Sequence, residues 1–249
     1  ALIAPYEELA DLAHQVIDEM KESILIKTGL LSEGVEMARE LEREGCQVVI
    51  SRGATAKKIK ESEVGIPLVE IRLTGHDLIR AFAEAREEGE SIALIIFEDM
   101  AYEARAIGKI LGVKVHEYLV KNEPSIQEAV NQAIHDGCQV FVGGASTVKY
   151  VQSKGLRSKL ITSGKEAVWQ AIMEAQKVAR VKRQEQEKTG QFRAVMDYTY
   201  EGILAADVQG TITIFNPAAE KMLSVSVNEA LKKNVKDIFP ELQLERIHL

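Results

Sequence analysis

An internal repeat constrains the fold of this chain more than any other feature. The segment GCQVVISRGAT at positions 45–55 returns 92 positions later as GCQVFVGGAST at positions 137–147. Each copy has the pattern of a helix end, a buried strand, a turn of small residues and the start of a new helix. Because the two copies share this setting as well as Gly-Cys-Gln-Val, duplication of one structural unit is favoured over a chance match.

Short apolar runs alternate with segments of helical periodicity on both sides of this repeat. The runs lie at positions 2–5, 23–27, 46–50, 67–71, 92–97, 113–119, 138–142 and 158–162. Strands that alternate with helices predict parallel sheets covered on both faces. We therefore expect an α/β protein with two duplicated, Rossmann-like lobes of four parallel strands each, at about 1–89 and 90–163. The pairs Thr74–Asp77 and Ser163–Glu166 predict capped helices after the last strand of each lobe.

The pattern changes at the end of the second lobe. From Gly164 the sequence predicts one long helix, followed by a linker of mixed charge at 181–190 and a third unit at 191–249. The helix carries an apolar stripe of Val168, Ile172, Ala175 and Ala179. This stripe could pack on the second lobe or face the same helix of a second chain, and both alternatives stay open. The second alternative is the basis for expecting a homodimer.

Composition narrows the class of protein. The chain has 31 basic and 38 acidic side chains and a net charge of −7, which argues against holding a nucleic-acid backbone by bulk electrostatics. Two cysteines are too few for a disulfide scaffold, so we expect buried free thiols in a reducing compartment, with a disulfide as the less favoured alternative. The longest apolar run is far shorter than the roughly 20 residues that span a bilayer. We expect a cytoplasmic protein without membrane contact.

The repeated turns are the leading candidates for a binding site. In open parallel sheets, ligands bind beyond the carboxyl ends of the strands, where turns meet helix N-termini. Small residues let backbone N–H groups approach an anion, and the planar guanidinium of Arg52 suits a carboxylate or phosphate. The alternative is that such turns need Gly, Ser and Thr only for folding. The candidates are Ser51, Arg52, Gly53, Ala54 and Thr55 in the first turn, and Gly143, Gly144, Ala145, Ser146 and Thr147 in the second.

Five further residues follow strand ends and are expected at the same rim. Tyr6 follows the first strand, Thr74 and His76 follow the fourth, and Glu98 and Asp99 follow the fifth. Helix capping alone would explain Thr74, and a lone exposed histidine is usually incidental. We include Tyr6, Thr74 and His76 among the ligand-binding candidates.

No catalytic, metal or nucleotide site can be assembled from the sequence. The five histidines are scattered, and no histidine or cysteine pairs stand at metal-ligand spacing. No nucleophile, base and orienting group can be matched, and the glycine-rich nucleotide-binding motifs are missing. We therefore expect no metal, no cofactor and no enzymatic activity.

Two regions resemble known families. The segments ISRGATA at 50–56, IPLVEI at 66–71 and TGHDL at 74–78 resemble the N-terminal sensor domain of the propionate catabolism regulator (PrpR) family, over about residues 1–180. The segments FRAVMD at 192–197, EGI at 201–203, GTI at 210–212 and FNPAAE at 215–220 resemble the opening of a PAS domain. The first resemblance implies a two-lobed, chelatase-like receptor at the front of a sigma-54-dependent transcription activator. The second implies the N-terminal part of an α+β domain.

These observations favour a signal-sensing region that binds a small anionic, carboxylate-like metabolite between its lobes and controls downstream domains. The resemblance implies that sigma-54 RNA polymerase and DNA would be reached only through domains that this sequence lacks. The alternative is a small-molecule enzyme of duplicated α/β architecture, of chelatase or racemase type. The PAS-like segment and the polar connector favour the sensor. A pure dimerisation module, a third alternative, would bind no small ligand.

Overall fold

The computed structural model describes residues 1–97 and 104–240. The chain forms two compact units, one over Ala1–Arg180 and one that begins at Val181. The first unit contains two parallel sheets of four strands with the same strand order. In each sheet the second strand of that half of the chain lies at one edge, followed by the first, the third and the fourth. The predicted pair of duplicated α/β lobes is confirmed.

Strands and helices alternate throughout the first unit, and in each lobe every strand is followed by a helix. The elements of the first half are β1 (Leu2–Ala4), α1 (Glu7–Met20), β2 (Ile26–Thr28), α2 (Ser32–Arg43), β3 (Val49–Ser51), α3 (Gly53–Lys60), β4 (Leu68–Glu70) and α4 (Gly75–Arg86). Those of the second half are β5 (Ser91–Phe97), α5 (Ala104–Leu111), β6 (Lys114–Val120), α6 (Ser125–His135), β7 (Val140–Gly143), α7 (Ala145–Ser153), β8 (Ser158–Leu160) and α8 (Lys165–Tyr198).

Helix α4 follows the first sheet in sequence but packs on the second sheet. Its buried side chains Leu78 and Phe82 belong to one apolar core with Ile92 and Leu94 of β5 and Val140 of β7. Helix α5 covers the same face of that sheet. The last helix in the sequence of the first lobe therefore completes the core of the second lobe.

Conversely, helix α8 follows the second sheet in sequence but packs on the first sheet. Val168 and Ile172 pack with Leu2 of β1, Ile50 of β3 and Val69 of β4, beside α1. A division of the chain near position 89 thus separates the two sheets but not the two cores. Neither lobe has a complete core from its own consecutive residues.

This packing corrects the prediction for the apolar stripe of the long helix. Val168 and Ile172 are 0% exposed and Ala175 is 7% exposed, all within the first lobe's core. Ala179 is partly buried against the same core. The stripe packs in the core of the first lobe and is not exposed to a partner chain. It therefore no longer supports the expected homodimer, which stays a prediction.

Two crossing segments, 71–74 before α4 and 161–164 before α8, lead the chain from one lobe to the other. They are joined by the carboxylate of Asp77, which is 1% exposed. Its Oδ2 accepts the Thr74 N–H at 2.9 Å, which forms the predicted capping box of α4. Its Oδ1 accepts the Gly164 N–H at 2.9 Å, at the start of α8. The predicted Ser163–Glu166 capping pair is wrong, because the Ser163 hydroxyl has no partner among the described residues. One carboxylate therefore serves the N-termini of both exchanged helices.

The second unit is a small α+β fold, which confirms the prediction for this region. It contains the antiparallel pair β9 (Leu204–Ala206) and β10 (Ile212–Phe215) and the short helices α9 (Pro217–Leu223), α10 (Val227–Ala230) and α11 (Val235–Ile238). Its core is formed by Ile212, Phe215, Ala219, Ala230 and Val235.

The side chain of Asn216 organises this second unit. Its Oδ1 accepts the N–H groups of Ile203 at 2.7 Å and Ala219 at 2.9 Å. Its Nδ2 donates to the carbonyl oxygens of Met196 at 3.0 Å and Glu201 at 2.9 Å. All four hydrogen-bonding positions of this 3% exposed amide are filled. The end of α8 is thereby tied to the segment before β9 and to the start of α9.

Two further sequence expectations concern the whole chain. Among the described residues, no helix is sufficiently long and apolar to cross a membrane. Cys46 and Cys138 carry free thiols, as predicted, but both are half-buried rather than fully buried.

We expect Asp77→Ala to lower the free energy of unfolding by about 2–3 kcal/mol, because two partly buried N–H groups lose a charged acceptor. Urea unfolding, followed by the fluorescence of Trp169 on α8, measures the change. Thr74→Ala is the matched control, since it removes only the cap bond and should cost about 1 kcal/mol. Equal losses in the two variants would show that the Asp77–Gly164 bond adds nothing.

We expect Asn216→Asp to speed amide hydrogen exchange in the segment 196–203 and to leave the sheets of the first unit unchanged. Aspartate keeps the two acceptor bonds, but it loses both donated bonds and sets a carboxylate against two carbonyl oxygens. Mass-spectrometric exchange on the full chain measures this effect. Asn234→Asp, which loses one bond to the Gln209 carbonyl, should act only near that turn. Unchanged exchange at 196–203 would contradict the assigned role.

Candidate functional site

Both repeated turns meet at one cleft in the first unit. The turn after β3 and the turn after β7 line the same space, which holds about 620 Å³ of empty volume including solvent at its mouth. This is the edge at which parallel strands present their carboxyl ends. The predicted candidates that line the cleft are Tyr6, Arg52, Gly53, Ala54, Thr55, Gly144, Ala145, Ser146 and Thr147.

Four predicted candidates lie outside the lining. Ser51 is fully buried in β3, where its hydroxyl donates to the Ile3 carbonyl at 2.8 Å. Gly143 ends β7, where a Cβ atom would lie 2.8 Å from a neighbouring carbonyl oxygen, so its small size serves packing. Thr74 caps α4, and His76 is exposed on the first turn of that helix. Glu98 and Asp99, also expected at this rim, lie outside the described residues.

Arg52 is the dominant feature of the cleft. It is 7% exposed, and its Nη1 donates to the Tyr6 hydroxyl and to the Ile161 carbonyl at 2.5 Å. Both partners are neutral, and no carboxylate among the described residues pairs with it. Nε and Nη2 make no hydrogen bond within the described chain, although together they form one edge of the guanidinium. A buried cation without a counter-charge costs several kcal/mol, so the described part of the site is electrostatically incomplete.

Tyr6 positions Arg52 and can also donate a hydrogen bond through its hydroxyl. Its ring centroid lies 5.9 Å from the Arg52 guanidinium carbon. Its hydroxyl accepts one hydrogen bond from Arg52 and one from the Ser163 N–H at 3.3 Å. A phenol that accepts twice still carries its own O–H donor, and no acceptor for it exists among the described residues. The hydroxyl can therefore donate to a group in the cleft.

The helices that begin at the cleft are left uncapped. The N-cap residues are Arg52 for α3 and Gly144 for α7, and neither helix has a side-chain cap. The free N–H groups of a helix's first turn carry partial positive charge and attract anions. In contrast, α4 has the full capping box at Thr74. The buried Ser146 hydroxyl in the α7 turn also has no partner within the described residues.

The apolar part of the lining was missed by the sequence analysis. Its residues follow strand ends or lie in the two crossing segments, and in the sequence they look like ordinary core. They are Pro5, Leu30, Ile71, Leu73, Ile95, Ile96, Phe97 and Ile161. The available signal was position, because Ile71 follows β4 and Ile161 follows β8, at the same sheet edge as the repeated turns. The cleft lining therefore combines polar groups with apolar side chains.

Comparison with known proteins identifies the family. The sequence model of the propionate catabolism activator family matches residues 18–185, which is more than half of the chain. The chain belongs to this family. A model of the PAS fold matches residues 190–248 of the same chain. Both predicted resemblances are confirmed, and the regulatory class of the protein follows from them.

Solved structures agree with the family assignment. This family member is similar to an NtrC family transcriptional regulator from Clostridium acetobutylicum, with 31% identity and a TM-score of 0.67, over 73% of this chain and 96% of that one. More distant matches include a LacI family regulator from Corynebacterium glutamicum (11% identity, 72% and 92% coverage, TM-score 0.33). Glutamate racemase from Aquifex pyrophilus also matches (10%, 70% and 82%, TM-score 0.30). The last two similarities are too weak to inform function.

The two adjacent glycines of the second turn should respond differently to substitution. Gly143→Ala should cost about 1–3 kcal/mol of unfolding free energy, because its Cβ would lie 2.8 Å from the Ile95 carbonyl oxygen. Gly144→Ala should cost less than about 1 kcal/mol, because no atom lies within 4 Å of the added Cβ. Thermal unfolding of both variants measures the contrast. A larger loss for Gly144→Ala would show that the cleft wall is described incorrectly.

Proposed function

We propose that this chain is the signal-sensing region of a sigma-54-dependent, NtrC-family transcription activator, and that it binds a small carboxylate anion between its two lobes. Arg52 carries the proposal, since it is a buried cation that lines the cleft and its partners among the described residues are all neutral. A carboxylate on its Nε–Nη2 edge would supply the missing charge in a bidentate geometry.

The surroundings of Arg52 support an anion rather than a neutral ligand. The Tyr6 hydroxyl has a proton to donate, and the uncapped N-termini of α3 and α7 add N–H donors and a favourable dipole. All of these groups are donors, and none requires a protonated ligand. An anion would be stabilised from both lobes at once.

The exchanged helices offer a route for the signal. Ile71 and Leu73 in one crossing segment and Ile161 in the other line the cleft, so a ligand touches the connections between the lobes. A ligand that binds one lobe arrangement better than another shifts the population towards it. Helix α8 begins in the first lobe's core and continues to Tyr198, so a change in that core would act on its N-terminal half.

In this proposal the chain functions in the bacterial cytoplasm, where its two thiols stay reduced. Sigma-54 RNA polymerase and DNA are reached through other domains of the activator.

The alternative of a duplicated α/β enzyme has less support. Acid–base or racemase chemistry needs titratable groups in contact with the substrate. The described lining residues offer Arg52, Tyr6 and hydroxyls, and no histidine, cysteine, aspartate or glutamate is among them. This composition suits recognition better than proton transfer.

Replacing Arg52 should remove most of the affinity for the anion. A hydrogen bond to a charged group contributes about 1.5–3 kcal/mol, so Arg52→Ala should weaken binding roughly 10- to 150-fold. The affinity of Arg52→Lys should lie between those of the wild type and Arg52→Ala, because lysine keeps the charge but lacks the planar guanidinium. Calorimetry with propionate, butyrate, hexanoate, succinate and citrate on the full chain measures the affinities.

Arg39→Ala provides the matched control, because Arg39 is exposed on α2 and lies outside the cleft lining. Its loss should leave affinity within about twofold. If one acid binds the wild type and Arg52→Ala equally well, or if no acid binds the folded wild type, the proposed function fails.

A further inference from the structure

The crossing segment 161–164 is held by a side chain at each of its four residues. Each attachment is a single hydrogen bond, 2.5 to 3.4 Å long, to a residue outside the segment. The pairs are Ile161 with Arg52, Thr162 with Arg80, Ser163 with Tyr6 and Gly164 with Asp77. Two of the holding side chains, Arg52 and Tyr6, also line the cleft. The residues that lead into α8 are therefore attached both to the cleft and to α4.

The internal repeat shows that the contact with Arg52 belongs to the α8 side alone. In each lobe, the isoleucine after the fourth strand donates its N–H to the carbonyl that ends the third strand, at 2.8 Å from Ile71 and 2.9 Å from Ile161. The next residue of the turn is Arg52 in the first lobe and Gly144 in the second. Because glycine has no side chain, the contact of Arg52 with the Ile161 carbonyl cannot have a counterpart at the Ile71 carbonyl. The cleft thus holds the segment that leads into α8, which continues as one helix to Tyr198.

The Tyr6 hydroxyl can pass a change in the cleft to this segment. Its oxygen accepts the Ser163 N–H at 3.3 Å, which is long for a hydrogen bond from nitrogen. Its own proton has no acceptor within the described chain. Hydrogen bonds in a chain polarise one another, so a hydroxyl that donates to an anion becomes a stronger acceptor. An anion that accepts from Tyr6 would therefore tighten the bond from Ser163.

The Ser163 N–H is sensitive to this bond. Ser163 is 4% exposed, so water competes little for its backbone. Its buried hydroxyl has no partner among the described residues and does not cap the helix that follows. The next N–H, that of Gly164, is bound by Asp77. The strength of the bond to Tyr6 therefore affects how firmly the chain is held where α8 begins.

We infer that Tyr6 couples the cleft to α8. An anion held at Arg52 accepts a hydrogen bond from the Tyr6 hydroxyl, and the Tyr6 oxygen then binds the Ser163 N–H more tightly. This inference rests on the proposed function and adds how occupation of that site reaches the long helix. Coupling of this kind is reciprocal, so the segment that anion binding stiffens must in turn contribute to the affinity for the anion.

Removal of the hydroxyl tests the contact without any anion. In the ¹⁵N-labelled full chain, Tyr6→Phe should speed exchange of the Ser163 amide about fivefold, because this N–H loses its acceptor. Tyr118→Phe is the matched control, since the Tyr118 hydroxyl donates to Asp136 at 2.7 Å in the second lobe, outside the cleft lining. It should leave the Ser163 amide unchanged. Amides of β3 and β7 should exchange as in the wild type in both variants, which verifies the fold.

Addition of acids tests the coupling itself. Propionate, butyrate, hexanoate, succinate and citrate would each be added to the level that saturates calorimetric binding. For every acid that binds, the wild type and Tyr118→Phe should show a downfield shift of the Ser163 amide proton and exchange at least about twofold slower. Tyr6→Phe, saturated with the same acid, should show neither response.

The outcomes separate this inference from the proposed function. The coupling is overturned, and the anion sensor stands, if an acid binds the wild type without changing the Ser163 amide. It is equally overturned if Tyr6→Phe responds as the wild type does, or if its Ser163 amide exchanges at the wild-type rate without acid. If none of the five acids binds the wild type, the proposed function fails and the coupling fails with it.

Discussion

The exchange of helices α4 and α8 between the two sheets is the constraint on which the rest of the first unit depends. Each sheet needs apolar cover on both faces, and one face of each is completed by a helix from the other half of the chain. The chain must therefore cross between the lobes twice, and Asp77 holds the two crossings together. Because Ile71 and Ile161 lie in these crossings and also line the cleft, the connection between the lobes and the candidate site are made of the same residues.

The cleft combines local features that are each unfavourable in an isolated protein. Within the part of the chain that the structure describes, Arg52 is buried without a counter-charge, the Ser146 hydroxyl is buried without a partner, and α3 and α7 begin without side-chain caps. Such groups cost stability unless something satisfies them. The capping box at Thr74 and the fully bonded Asn216 show the opposite case, in which the chain satisfies its own groups. In the proposed function, an anion in the cleft would give Arg52 a counter-charge and the first turns of α3 and α7 an acceptor.

The predictable part of the structure was the part determined by local sequence. The repeat around Arg52 and Gly144 placed two turns at one sheet edge, since strand, turn and helix follow each other within a dozen residues. The exchange of helices was not predictable, because an amphipathic pattern shows which face of α4 or α8 is buried but not which sheet buries it. The Ser163 cap failed for the same reason, since the N–H of Gly164 is bound by Asp77, 87 positions away.

The site residues also differ in whether they could be predicted from the local sequence. Arg52 and Tyr6 were identifiable by chemistry and by position after a strand. The apolar part of the lining was not identifiable, because the sequence around Ile95 or Ile161 has the same pattern whether the side chain faces a core or a cleft. Only the three-dimensional arrangement separates the hydrocarbon that is buried by the protein from that left for a ligand.

The central claim is that the free edge of the Arg52 guanidinium receives a carboxylate. Its most direct test is the ¹⁵N–¹H resonance of Arg52 Nε in the full chain, assigned by its loss in the spectrum of Arg52→Lys. On titration with an acid that binds the full chain in calorimetry, we expect a downfield shift of this proton and slower exchange with water, both saturating with the calorimetric affinity. If that acid binds with measurable heat while the Nε resonance does not change, the anion is held elsewhere and the proposed role of Arg52 is wrong.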